Sequence, residues 1–324
     1  MVSRSKYINL LIKLLIAGFL LFVLYNQLKE YNGQSGLKEE IIDRFASGNI
    51  LWLVGFVILM PLNWVLEAKK WKSVFGAIPF TQAFKTILAG ISLAIITPNR
   101  VGEYGGRLLT ISPEKNWKSI VATLVGSVGQ NLATIFFGIT GLIFLSKRFN
   151  YVDVSFIPII FTAALFFFLG LYVYFNIDVL AVVVKKFGLQ KYLQKFSKYF
   201  QEIRRIEKST LLTVLILSAL RYMLYVTQYY LVIRFFNIDV DPLAALQGIT
   251  SILLIQSSLP LPPFISILAR GEISLLIWGL FGINELIILS MTFLIWSINL
   301  LFPALLGYIV ILRTNIVETL GYGK

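Results

Sequence analysis

Three apolar runs set the terms on which this chain can fold. Residues 7–28, 50–66 and 154–174 approach or exceed the roughly 18 to 20 consecutive apolar residues that an α-helix needs to cross a bilayer. More such runs are expected, because 57% of the 324 residues are hydrophobic, above the roughly 45 to 50% of soluble domains. A polytopic membrane protein follows. Its spans should be helical, since a closed barrel would show alternating strands of about ten residues with much weaker hydropathy. The expected fold is therefore all-α, a polytopic membrane helical bundle.

Composition also narrows the chemistry. The chain has neither Cys nor His, which excludes thiolate nucleophiles, disulfides, imidazole bases and the usual zinc or haem ligands. No metal and no cofactor is expected. The formal charge of +13 does not point to nucleic acid, because the basic residues flank the apolar runs as cytoplasmic loops of membrane proteins do.

Taken in order, Arg4 and Lys6 precede an uncleaved first helix and place the amino terminus inside. Residues 29–48 are polar and carry one net negative charge, as an outer loop would. Span two, residues 50–67, returns to Lys69, Lys70 and Lys72, which with Trp64 and Trp71 form an inner-interface anchor; Glu67 is expected at that interface. Span four covers residues 119–145 and leaves Lys147 and Arg148 outside, against the positive-inside tendency. Span five, 154–174, leads into the most basic segment: residues 185–208 hold eight Lys or Arg against two Glu, a net +6. Tyr192, Phe196, Phe200 and Ile203 recur there at helical spacing, the pattern of an amphipathic helix on anionic headgroups or of an ordinary solvated loop. Span six is 211–235, and a last span, 285–312, brings the carboxyl terminus inside.

Between these spans lie two segments too short to cross. Residues 83–97 run into Pro98, Arg100, Gly102, Glu103, Gly105, Gly106 and Arg107, helix breakers and charges together. At bilayer depth such a segment must be buried in protein or line a watery cavity. Residues 83–118 thus read as a re-entrant hairpin with its tip near Pro98. The second segment starts at Asp241-Pro242, an N-cap followed by proline at the first helical position, and ends in Ser257-Ser258-Leu259-Pro260-Leu261-Pro262-Pro263, followed by Arg270 and Glu272. The two hairpins share an echo, Ala89-Gly90-Ile91-Ser92 and Gln247-Gly248-Ile249-Thr250. Interrupted segments of opposite orientation in the two halves mark a site at the midplane between inverted repeats. The chain is read as one membrane domain, 1–324, with a first repeat to about 176, a basic cytoplasmic linker 177–208 and a second repeat 209–324.

On a helix Arg100, Glu103 and Arg107 share a face, so Glu103 can pair with either arginine but cannot neutralise both. The surplus suits bidentate recognition of phosphate or carboxylate, with Gly102, Gly105 and Gly106 permitting close backbone approach. Arg221 lies too deep in span six to be interfacial and needs an anion: Glu103, Glu67, Glu272 or a ligand. Gln130 and Asn131 line the same cavity or hydrogen-bond between helices, and Tyr222, Tyr225, Tyr229 and Tyr230 serve packing or ligand contact. Asp239-Val240-Asp241 mimics a glycosyltransferase metal motif, but helix capping accounts for Asp241.

The run from Pro98 to Arg107 resembles the T-P-x-R-x-G-E motif of the family similar to the membrane portion of lysylphosphatidylglycerol synthases. Lys70-Trp71 is similar to that family's basic-Trp element, and the proline cluster with Arg270 and Glu272 resembles its second motif, with Pro262-Pro263-Phe264 where the family has glycines. The resemblance implies a flippase-like helical fold that moves or modifies lipids or lipid-linked sugars. The soluble aminoacyl-transfer domain has no counterpart here, so lysine transfer to lipid is not implied.

The expected function is binding, and translocation between leaflets, of an anionic lipid or lipid-linked headgroup in the cell inner membrane, both termini cytoplasmic. Arg100, Glu103, Arg107, Arg221, Arg270 and Glu272 are the candidate substrate contacts. The alternatives are a membrane-embedded transferase with Glu103 as base and a non-catalytic partner of an envelope complex. Membrane lipids, anionic ones first, are the expected partners; oligomerisation is left open.

Overall fold

A computed structural model of the chain describes residues 2–32, 37–47, 50–150, 157–176, 179, 201, 203–259 and 266–319. Every regular element among the described residues is helical. Helices α1 (Val2–Asn32), α2 (Leu37–Ser47) and α3 (Ile50–Phe75) precede the first hairpin, made of α4 (Phe80–Ala94) and α5 (Gly102–Leu108). Then come α6 (Asn116–Arg148), α7 (Ile157–Phe175) and α8 (Lys208–Phe235). The second hairpin is α9 (Pro242–Ser258) and α10 (Ser266–Gly279), followed by α11 (Glu285–Trp296), α12 (Phe302–Leu312) and the short α13 (Ile316–Thr319). A π-helical turn, Ser297–Leu301, joins α11 to α12 into one continuous span. The amphipathic reading of Tyr192, Phe196 and Phe200 and the proline cluster 260–263 fall outside the described residues.

Among the described residues four helical runs are long and apolar enough to cross a membrane: Ile50–Phe75, Pro113–Arg148, Lys208–Phe235 and Glu285–Leu312. The chain is an integral, multi-pass membrane protein. Local sequence sets the helix starts as read: Asp241 caps α9, its side chain accepting from the Ala244 amide at 3.0 Å, with Pro242 next. Asn284 caps α11 in the same way through the Leu286 amide at 2.9 Å. Within the polar stretch 29–48, α1 continues to Asn32 and α2 is helical. Its apolar residues Leu37, Ile41 and Phe45 recur at helical spacing, α2 packs against α11, and the Phe45 ring meets Phe235 edge-on at 5.6 Å.

The centre is an antiparallel pair, α3 against α8. Gln228 Nε2 donates to the Phe56 carbonyl at 3.1 Å, and Arg221 Nε to Asn63 Oδ1 at 2.6 Å. Asn63 and Arg221 are 158 positions apart, and so are the first residues of the two helices, Ile50 and Lys208 (208 − 50). Two segments matched at one offset and running in opposite directions are what inverted halves require.

The hairpins follow the same rule. In the first, α4 packs on the last span, where a Cβ at Gly307 would run into the Leu88 carbonyl and meet Ser92. In the second, α9 packs on α6, where a Cβ at Gly141 would run into Thr250. Ser92 and Thr250 are again 158 apart (250 − 92), so the tetrapeptide echo marks equivalent packing positions. Each hairpin thus lies against a span of the opposite half, with a small residue allowing close approach. Next to the turns, Ile96 of the first hairpin and Ile267 of the second share one apolar cluster with Leu289 and Trp296.

Both chain ends lie at one face. Lys13 Nζ donates to the Leu312 carbonyl at 2.7 Å, Tyr308 donates to the Lys13 carbonyl at 3.1 Å, and the Ile316 amide donates to Asn9 at 3.0 Å. At the opposite face Arg148, the residue that breaks the positive-inside pattern, is held by Gln247 at 3.0 Å and Asp241 at 3.4 Å.

Two outcomes test this packing. Gly307→Val should lower stability by about 1–3 kcal/mol or more through overpacking against backbone, while Gly18→Ala, with open space around it, should leave the melting temperature in detergent unchanged. Because the natural chain has no Cys, single cysteines report sidedness directly. An impermeant maleimide should label Lys72→Cys and Arg313→Cys from the same side and Asn237→Cys from the other; labelling of all three from one side would contradict the topology.

Candidate functional site

Asn63, Glu67, Lys70 and Trp71 follow one another at helical spacing and form a polar stripe on one face of α3. All four are buried, Glu67 being 5% and Lys70 1% exposed. This corrects the interfacial placement of both. Lys69 stays exposed as an anchor should, but one position along the helix turns Lys70 into the protein. Glu67 is the hub: Oε2 pairs with Lys70 at 2.7 Å and Arg221 at 2.8 Å, and Oε1 with Arg107 at 2.9 Å. One carboxylate therefore ties α3 to α5 and α8.

The first hairpin turns where the breakers lie. Thr97 is extended, Pro98–Arg100 forms a 3-10 turn, and Asn99 and Arg100 occupy the left-handed region at φ 52° and 58°. A non-glycine residue rarely adopts that conformation, so two in succession are held there by their surroundings. After the turn α5 lies directly on α4. A Cβ at Gly102 would strike the Leu93 carbonyl and one at Gly106 the Ala89 carbonyl, whereas one at Gly105 would meet only the Leu93 side chain at 3.9 Å. The first two glycines thus admit the neighbouring helix backbone, and Gly105 has room to spare.

That contact seats Arg107, 1% exposed, at the centre of the bundle. Its guanidinium donates to Glu67, to Glu103 and, at 3.4 Å, to Thr123 of α6, which also receives the Trp71 indole at 3.3 Å. Glu103 does not choose between its arginines: it pairs with Arg107 and, at 3.2 Å, with Arg100. The latter side chain is 48% exposed.

Arg221 sits 13 residues into α8, about 20 Å from its start and close to its midpoint. Beyond Glu67 and Asn63 it reaches Gln130 at 3.3 Å and the Tyr225 hydroxyl at 3.4 Å. Gln130 is a bridge between helices, accepting from Lys70 at 3.4 Å and donating to the Ser218 carbonyl at 3.3 Å, while Asn131 is exposed. Tyr222 stacks on Phe137 and Tyr229 accepts from Trp278, so both are packing residues.

At the second tip Arg270 donates to Gln256 at 2.8 Å, and its Nε is buried without a partner. Arg100 and Tyr225 are its electrostatic neighbours. No carboxylate of the described residues pairs with it. Glu272, two residues on, is exposed and joins none of the ion pairs of this network. Six of the candidate residues are thus distributed as follows: Arg107, Glu103 and Arg221 in a packed knot with Glu67, Arg100 and Arg270 at the two tips, Glu272 apart.

Five cations, Lys70, Arg100, Arg107, Arg221 and Arg270, face two carboxylates, Glu67 and Glu103, which leaves three positive charges unmatched. Arg107 and Lys70 are enclosed. The cations with room to meet a further anion are those of the tips. Asn63, Thr123 and Gln256 are the members that sequence reasoning passed over, and Lys70 was read as an interface anchor; the spacing of Asn63, Glu67 and Lys70 within an apolar span was the signal for the buried face.

Removing one partner of a buried ion network strands the others, at a cost of about 3–5 kcal/mol. Glu67→Gln should therefore cause a large drop in melting temperature in detergent. Adding Lys70→Met to it should recover part of the loss, since one stranded cation is removed; a double variant no better than the single would break the account.

A comparison with curated proteins gives no match. The sequence profile of the lysylphosphatidylglycerol synthase TM region matches residues 10–307, nearly the whole chain and every element of the knot and the tips. The chain belongs to the lysylphosphatidylglycerol synthase transmembrane-region family.

Proposed function

We propose that the protein binds the anionic headgroup of a membrane lipid or lipid-linked sugar between the two hairpin tips and passes it from one leaflet to the other. The observation that carries this reading is Arg270. It is a guanidinium at bilayer depth with a buried Nε, no carboxylate partner among the described residues and Arg100 as its charged neighbour. An uncompensated Arg in the middle of a membrane helix costs about 2.5–3.5 kcal/mol or more, and a phosphate is the partner its planar fork fits best. An anion seated between Arg100 and Arg270 relieves both the desolvation and the mutual repulsion.

The knot around Glu67 is the frame of that site. Its arginines are each paired with a carboxylate, Arg107 with Glu67 and Glu103 and Arg221 with Glu67, so they hold α3, α5 and α8 while the tips meet the headgroup. Glu103 as a catalytic base fits less well, because both neighbouring guanidiniums occupy it. Lys72, Lys85, Lys115, Lys118 and Arg313 belong to the face that carries the termini, and by the positive-inside rule that face is the cytoplasmic one.

The test is transbilayer movement of fluorescent anionic lipid in proteoliposomes. Arg270→Ala should slow it about 10- to 100-fold, the worth of one charge-assisted contact, and Arg100→Ala in the same direction by less, because Glu103 already engages that side chain. Arg270→Lys should fall between. Unchanged rates in both alanine variants would remove translocation of an anionic headgroup from this site.

A further inference from the structure

The face that carries both termini offers polar groups outside the knot and the tips. A cleft of about 310 Å³ opens there between the start of α4 and the end of the last span. Its floor is apolar, Ile309 and Val310 of α12; its walls are Gln82, Thr110, Thr314 and Thr319; its rim holds Lys85 and Arg313. None of the lining residues is acidic. Both cations are exposed, and among the described residues neither side chain donates to a protein acceptor.

The cleft is not a separate surface feature. Gln82 Nε2 donates to the Thr110 carbonyl at 2.6 Å, and the Thr110 hydroxyl lies 2.8 Å from that of Thr86 and 3.0 Å from the Arg107 carbonyl. From there Arg107 leads to Glu67 and Arg221 at mid-depth. The cleft wall is thus bonded to the backbone of the residue whose guanidinium reaches the centre of the span pair.

We propose that this cleft binds a phosphate-bearing headgroup at the terminal face, Lys85 and Arg313 holding the phosphate and Ile309 and Val310 the apolar part next to it. Two unpaired cations over an apolar floor at a membrane boundary match a phospholipid, charged at one end and greasy at the other. A free phosphate shares the charged half of that chemistry. The site is independent of the tip site and stands or falls on its own.

The experiment uses the full chain in nanodiscs of phosphatidylcholine with phosphatidylglycerol, followed by native mass spectrometry of retained lipid and by protection against heat. The Lys85→Ala/Arg313→Ala variant should retain one phosphatidylglycerol fewer than the parent, and Lys85→Arg should restore it. Both side chains are exposed, so the fold should survive. Inorganic phosphate added alone should not protect; if it protects as well as the lipid does, and only in the parent, the headgroup is a soluble phosphate and the cleft assignment stands with that source. Arg270→Ala should leave the occupancy of this cleft intact. Equal lipid retention in the double variant and the parent would overturn the site, whatever Arg270→Ala does to transport.

Discussion

A single carboxylate in the middle of a membrane bundle decides how the rest is arranged. Glu67 stands between Lys70, Arg107 and Arg221, which come from three helices far apart in sequence. In water such pairs contribute little; out of water each charge is expensive alone and acceptable only in company. The knot is therefore more a specificity device than a source of net stability. The arginines can be buried only if α3, α5 and α8 come together in one register, and that register puts Asn63 opposite Arg221 and Trp71 against Thr123.

The hairpins depend on this register. Between helices in lipid there is no hydrophobic driving force, so close packing of small residues has to hold α4 and α5 together. Gly102 and Gly106 let α5 lie on α4, and α5 then delivers Arg107 to Glu67. The left-handed turn at Asn99 and Arg100 follows from the same geometry: a helix that must reverse within a few residues of Pro98 has no regular path back. Strain at the tip and charge at the knot are two ends of one constraint.

Much of this was legible in the sequence, and the misses share a cause. Apolar runs, breakers and caps are one-dimensional signals, so four of the spans, the two interrupted hairpins and the Asp241 cap could be read directly. Which face a charge turns to is not one-dimensional. Glu67 and Lys70 stand in a Lys/Trp cluster that looks interfacial, yet α3 continues to Phe75, about 39 Å in all, and only Lys69 and Lys72 of the lysines point away from the core. The reverse error befell Glu272, which stands beside Arg270 in sequence but two positions round the helix, on the exposed side. The glycines of the first motif were read as room for a ligand, and Gly102 and Gly106 turn out to be room for a helix.

The inverted arrangement explains why the unmatched charge gathers at the tips. Each hairpin packs on a span of the other half, and Ile96 and Ile267, next to the turns, share one apolar cluster. The first half supplies both carboxylates of the knot; at the position equivalent to Glu67, 158 residues on, the second half has Tyr225 (225 − 67). The symmetry of the backbone is thus broken in charge, with acid on one side only. Arg270 stands outside that symmetry, since the position 158 residues before it is Ser112 (270 − 158), and its neighbours are a phenol and a like-charged arginine.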